Sequence, residues 1–262
     1  MEAKVSSVGK ALSILDCFSI SRPELSLAQI STELGIPKST ALNQIRTLED
    51  RGFLYRVANT ANYRLGYKIM QLNYCVHSSL PIVQYAMPIM EELKNRTHCN
   101  VYLTSHIDGR VFYLEGMYYN KRTIAYSDSG KTLPMHCTGS GKAMLSYMPD
   151  AQVQAIIDRW RLPEVTENTI TDPMDFRREL EVCRGQGYAV DNEEESVGVR
   201  CVAAAVRSSR GEVAGALSLS GPAVSMNESS VLSCAALVIN AAAELMPYAQ
   251  FFPAMQLQAA AE

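Results

Sequence analysis

Residues 30–56 read ISTELGIPKSTALNQIRTLEDRGFLYR. Leu27, Ile30 and Leu34 share one helical face, Ser26 is placed as the N-cap of that run, and Gly35 ends it. After Ile36-Pro37 a second periodic run, Lys38 to Arg51, brings Leu42, Ile45 and Leu48 inward until Gly52 closes it. Two short helices about a Gly-containing turn form a helix-turn-helix pattern. The second helix has the polar residues a groove reader needs. Lys38, Ser39 and Thr40 occupy its first turn, and Asn43, Gln44 and Arg46 point away from the apolar stripe. An ammonium, short hydroxyls and helix N-terminal N–H groups suit phosphates, while Asn, Gln and Arg offer paired hydrogen bonds to base edges.

Upstream, the spacing of Val8, Ala11, Leu12, Leu15 and Phe18 predicts an amphipathic helix that breaks at Ser21-Arg22-Pro23. Downstream, the period drops to two. Phe53–Val57 and Tyr63–Leu65 flank the polar Ala58–Asn62, a β-hairpin wing from which Arg56 and Arg64 flank the duplex backbone. The competing reading is a generic three-helix interaction module whose Lys and Arg are only solvated.

The rest of the chain is longer and of different charge. The 262 residues suffice for two ordinary domains, and 47% hydrophobic with 19% charged residues is a globular composition. Residues 1–67 hold eight Lys/Arg against six Asp/Glu, a net of +2, whereas residues 68–262 hold sixteen against twenty-one, a net of −5. A mildly basic domain on an acidic body fits a DNA reader joined to a part that avoids DNA. The first ten residues have no apolar core of a secretory signal, and no apolar run approaches the length of a membrane span. The seven Cys are odd in number and contain no C-x-x-C pair, which points to thiols in a reducing, cytoplasmic compartment.

The expected organisation is a DNA-binding domain over 1–67, a linker helix over 68–80 and a sensor domain over 81–262. In the linker, Ile69, Leu72 and Val76 share a face, with Met70, Tyr74 and Cys75 widening the apolar surface beyond one stripe. A dimer partner would cover the excess; packing wholly on its own chain is the alternative. A further helix, 82–97, carries Val83, Met87, Met90 and Leu93.

Beyond residue 98 strands read at Asn100–Ser105, Val111–Glu115 and Thr123–Tyr126, then helices at Gly141–Tyr147, Ala151–Trp160 and Asp175–Gln186. A hairpin, Cys201–Val206 with Val213–Leu219, and a helix over Glu228–Glu244 complete the order. The predicted class is α+β: a winged helix-turn-helix followed by an antiparallel sheet flanked by helices. A two-residue loop at Ser209-Arg210 would set Cys201 opposite Ser218, and a bulge would shift that register.

The 30–56 stretch resembles the DNA-binding domain of the isocitrate lyase regulator (IclR) family, departing at Asn43-Gln44, where His-Arg is frequent. Three further segments resemble the same family: LPMHCTGSGKAML (133–145), GYAVDNEEESVGVRCVAAAV (187–206), with Ala205 in place of the usual Pro, and GALSLSGP (215–222). The resemblance spans nearly the whole chain in order. It implies a transcriptional regulator of a metabolic operon, not an enzyme, with a GAF-like effector domain, acting on double-stranded operator DNA as a dimer or tetramer. Carried over residue by residue, it places the effector site at Gly139, Asp191, Cys201, Ser218 and Ser220. Chemically, a helix starting near Thr138–Gly141 offers unpaired N–H groups to a carboxylate, and Ser218 and Ser220 share one strand face. The competing reading makes 191–195 a solvated acidic loop and the two serines ordinary outward residues.

Other chemistries fit poorly. A P-loop would need Gly where His136 stands and a hydroxyl where Ala143 stands. His98, Cys99, His106, His136 and Cys137 follow no zinc spacing, and Ser140 lacks the G-x-S-x-G elbow of a hydrolase. No metal or cofactor is expected. The alternative function is a GAF-type sensor or enzyme whose helix-turn-helix serves protein contacts.

Overall fold

The computed structural model describes residues 6–119 and 128–253. The chain divides into two compact units, with the boundary between Ser79 and Leu80. The expected strand Thr123–Tyr126 lies outside the described residues.

The N-terminal unit contains α1 (Ser6–Asp16), β1 (Leu25–Ser26), α2 (Leu27–Glu33), α3 (Lys38–Asp50), β2 (Leu54–Arg56), β3 (Asn62–Leu65) and α4 (Lys68–Ser78). Ser26 caps α2 in a capping box with Gln29, each side chain accepting from the other residue's amide. The turn into α3 is pinned from within: the buried Ser31 hydroxyl donates to the Ile36 carbonyl at 2.7 Å. The two-residue β1 adds a third strand to the wing, in the order β1-β3-β2.

Two helices differ in phase from what periodicity predicts. On α1 the buried residues are Ile14, with Cys17 and Phe18 just beyond the helix, while Val8 and Leu12 are exposed. The helix is apolar on two sides, and the core takes the Ile14–Phe18 side. On α3 the small Ala41 is buried with Ile45 and Leu48, and Leu42 is only half-buried.

The C-terminal unit runs α5 (Pro81–Thr97), β4 (Asn100–Ile107), β5 (Arg110–Met117), β6 (Thr132–Pro134), α6 (Gly139–Leu145), α7 (Asp150–Trp160), α8 (Pro173–Gln186), β7 (Ala189–Asn192), β8 (Val199–Arg207), β9 (Val213–Pro222) and α9 (Glu228–Glu244). Among the described residues six strands form one antiparallel sheet in the order β6-β5-β4-β9-β8-β7. Alternation along β8 and β9 assigns the faces. Val202, Leu217 and Leu219 join the core with α5 and α9, through Ala86, Met90 and Val238. Ala216 faces the opposite layer, with Met144 of α6, Ile156 of α7 and Phe176 of α8. On α5 Ala86 is buried, whereas Met87, expected inward, is 41% exposed.

The β8–β9 register departs from the two-residue loop. Ser208 N–H bonds the Glu212 carbonyl and Gly211 N–H the Ser208 carbonyl, so the loop has three residues, Ser209 to Gly211, with Gly211 at φ +83°. A bulge between Val206 and Arg207 adds a second slip. Cys201 therefore lies opposite Ser220, not Ser218. Because side chains alternate with a period of two, a shift of two residues leaves all three on the same face.

Candidate functional site

On α3, Lys38, Ser39, Asn43 and Arg46 are exposed, and Thr40 and Gln44 are half-buried. Ser39, Thr40, Asn43 and Arg46 lie on the side of the helix away from Ala41, Ile45 and Leu48, with Lys38 and Gln44 on the two flanks of that buried stripe. Thr47, not singled out from the sequence, is exposed on this same side, one turn beyond Asn43, whose carbonyl accepts from its hydroxyl at 3.0 Å. Arg56 and Arg64 are both exposed on the wing. They are not equivalent: Arg64 pairs with Glu24 at 3.7 Å.

In the C-terminal unit, the rows of the sheet put the second set of residues together. Asp191, Cys201, Ser220 and Asn100 lie directly across from one another on β7, β8, β9 and β4. Ala203, Ser218 and Tyr102 form the next row on the same face. Over this face sits the start of α6, capped by Thr138, whose hydroxyl accepts from Gly141 N–H at 3.2 Å. The helix begins two residues earlier than expected, at Gly139, so the Gly139 and Ser140 amides are the ones without an intrahelical acceptor. Gly139, Asp191, Cys201, Ser218 and Ser220 all line one cavity of about 260 Å³. The far wall was not anticipated from sequence: Tyr102 and Tyr113, edge to face at 5.2 Å, with Lys131 over the Tyr113 ring at 5.7 Å.

The two glycines at the start of α6 have different neighbours. A Cβ on Gly139 would meet Ala203 and Cys201 at 3.4–3.5 Å, ordinary contact, so this position tolerates a side-chain carbon against β8. A Cβ on Gly141 would lie 2.1 Å from the Met135 carbonyl oxygen. Gly141 is the residue that only glycine satisfies.

The acidic stretch is not a solvated loop. Asp191 Oδ1 accepts the Glu194 amide at 2.8 Å and the Glu195 amide at 3.4 Å. Glu194 is buried, and its Oε1 lies 2.5 Å from Lys142 Nζ. Lys142 itself is 1% exposed and also pairs with Glu179 at 2.9 Å. Burial opposes the Lys142 charge, but the two carboxylates outweigh it and hold its pKa above the ordinary value. Burial pushes the Asp191 carboxyl up to about 7; the Glu194 charge adds to this, while the Glu194 and Glu195 N–H groups and Lys142 oppose it. Burial likewise raises the Cys201 thiol and the Tyr102 and Tyr113 phenols, so all three are neutral walls.

The other candidates are accounted for structurally. His136 sits with Nε2 2.9 Å from the Pro163 carbonyl and has its pKa lowered by burial. Among the described residues no three His, Cys, Asp or Glu side chains are grouped to hold a metal ion. No helix among them is long and apolar enough to cross a membrane.

Comparison with known proteins covers both units. The IclR helix-turn-helix domain matches residues 7–58, and the C-terminal domain of the bacterial transcriptional regulator IclR matches residues 75–246. The HTH-type transcriptional regulator XynR of Escherichia coli is 35% identical over 221 residues, 82% of this chain and 86% of that protein. The acetate operon repressor of Salmonella typhimurium is 27% identical over 244 residues, 92% of this chain and 89% of that protein. The fold is shared with an IclR homolog from Microbacterium hydrocarbonoxydans solved in complex with 4-hydroxybenzoate. Its TM-score is 0.77 at 24% identity, over 94% of this chain and 99% of that one.

Proposed function

The chain belongs to the IclR family of bacterial transcriptional regulators, and from that premise we propose that it represses a metabolic operon in the cytoplasm and is controlled by a small carboxylate held in the cavity of its C-terminal domain. The observation that carries this reading is convergence. Gly139, Asp191, Cys201, Ser218 and Ser220 come from separate segments of the sequence and line the same cavity. The Gly139 and Ser140 amides and the dipole of α6 favour an anion, the two serine hydroxyls add polar contacts, and Cys201 closes the wall. At about 260 Å³ the space lies below the roughly 300–1,000 Å³ of drug-sized pockets, so it suits a small acid. The relative from Microbacterium hydrocarbonoxydans, solved with 4-hydroxybenzoate, gives an acid of that class to try first.

The chain acts by binding, not by catalysis. Its relatives are named as regulators, and His136 is turned to a backbone carbonyl. On DNA, Lys38, Ser39, Thr40, Asn43, Gln44 and Arg46 form the reading face and Arg56 the wing contact. The working species is a homo-oligomer, a dimer or tetramer, joined through the apolar side of α4.

Calorimetry with a panel of small acids, including 4-hydroxybenzoate and hydroxy acids, tests the cavity. Hydrogen bonds to a charged group are worth roughly 1.5–3 kcal/mol, so Ser218→Ala or Ser220→Ala should weaken binding about tenfold or more while operator affinity without ligand is retained. Unchanged ligand affinity in the double variant would place the site elsewhere.

A further inference from the structure

We propose that Lys142 is a positioning residue of the effector cavity: by clasping Glu194 it locks the acidic turn 193–195 to α6, and so holds Asp191 in place across from the Gly139 and Ser140 amides. This rests on reading the cavity as the effector site.

Neither Lys142 nor Glu194 lines the cavity, yet both walls depend on them. Lys142 lies three residues after Gly139 on α6, with Nζ 2.5 Å from Glu194 and 2.9 Å from Glu179. Glu194 Oε1 also accepts the Asn192 amide at 3.3 Å, and the Glu194 backbone returns an N–H to Asp191. From the other side Thr166 donates to the Glu193 carbonyl at 2.7 Å, and Thr169 to the Glu194 carbonyl at 2.8 Å. Glu193 is held at φ +63° in this turn, and Glu194 Oε2 stays buried without a partner. A buried ion group of this kind is a poor source of stability, since apolar residues of the same volume often do as well or better. Its effect is positional. A movement of α6 that shifts the anion-binding amides pulls Glu194, and with it the amides that bond Asp191.

The groups facing Asp191 are the carboxylates of Glu194 and Glu195 on its own turn, Lys142 of α6, Cys201 of β8 and Cys137 before α6. Loss of the clasp therefore has two separable consequences. In the full chain, Lys142→Met should strip hydrogen-exchange protection from the Glu194 and Glu195 amides, about tenfold or more beyond any change in β8. It should also move the titration midpoint of the Asp191 carboxyl, read by carbon NMR, further above the ordinary value, because the cation and the amides that oppose the rise are lost together. Glu194→Gln keeps the hydrogen bonds but removes the charge. It should leave the amides protected and lower the Asp191 midpoint, because the Glu194 charge is one of the causes that raise it. Lys142→Arg, which keeps the charge, should restore amide protection relative to the Met variant.

A folded Lys142→Met protein with wild-type amide protection and Asp191 midpoint would overturn the proposal. If that variant does not fold, wild-type protection of the Glu194 and Glu195 amides in a folded Glu194→Ala protein, which removes the carboxylate that Lys142 clasps, overturns it equally. Failure of every acid in the calorimetric panel to bind wild-type protein counts against the effector reading alone, because neither NMR measurement needs a ligand.

Discussion

Gly139 and Gly141 stand two residues apart in one helical turn and answer to different neighbours. A methyl group on Gly141 collides with backbone, the Met135 carbonyl, which cannot swing aside as a side chain would. Gly141→Ala should therefore give an insoluble or strongly destabilised C-terminal domain, whereas Gly139→Ala should fold with a nearly unchanged Tm. Equal thermal stability of the two variants would refute this division. Asp191 carries a pH prediction at the same scale. Its folded pKa of about 7 lies above the 3.8 of the free side chain, so between those values the folded protein keeps a proton that the unfolded chain releases. Stability then falls as pH rises through that interval. Asp191→Asn retains an acceptor for the Glu194 and Glu195 amides but does not titrate. The Tm of the variant minus that of wild type should become more positive between pH 4 and pH 8; a pH-independent difference would mean that Asp191 is not held protonated near neutrality. An anionic ligand beside Asp191 raises its pKa further, so acid binding should take up protons and weaken above pH 7.

At the scale of elements, α3 and the wing can be tested side chain by side chain. Arg46→Ala or Gln44→Ala should weaken operator binding while leaving Tm nearly unchanged, since neither side chain is in the core. On the wing, Arg56→Ala should cost more operator affinity than Arg64→Ala, because Arg64 is already paired with Glu24. Removing one cation from the phosphate backbone should reduce the slope of log affinity against log salt by about one. Equal effects of the two wing variants would count against the assignment. These elements were legible in the sequence because Gly35 and Gly52 punctuate them and the period changes from helical to alternating within a few residues. The phase of α1 was not, since Val8 and Leu12 make a second apolar side that periodicity weighs the same as the buried one. The three-residue β6 and four-residue β7 are too short to show a period. The burial of Lys142 was invisible for another reason: its partners lie 37 and 52 residues away, and only the fold brings them together. The five effector candidates came from the family resemblance. The alternation of β8 and β9 kept three of them on one face, although the loop is one residue longer than the spacing suggests and a bulge adds another.

At the scale of the whole molecule, α4 has no buried residue along its length, and Met70, Leu72, Tyr74 and Val76 are all exposed. In the same unit Val8 and Leu12 of α1 are exposed too. In the proposed oligomer a second copy covers this apolar surface and reads the other half-site one DNA turn away. Replacing Leu72 and Val76 together by Glu should give monomers in light scattering at micromolar concentration. Because the two half-sites act as linked contacts, operator affinity should fall by roughly 10²–10⁴. A wild-type protein that is itself monomeric at that concentration would exclude this assembly. The same variant separates sensing from response. A ligand shifts DNA affinity only by binding two arrangements of the protein unequally, and α4 is the segment through which the chain passes from one unit to the other. The cavity residues all lie beyond Leu80, so the α4 variant should bind its acid with wild-type affinity in calorimetry. Its residual DNA binding should no longer change when that acid is added. If the monomer still releases DNA in proportion to ligand, the switch operates within one chain and the role of α4 is limited to avidity.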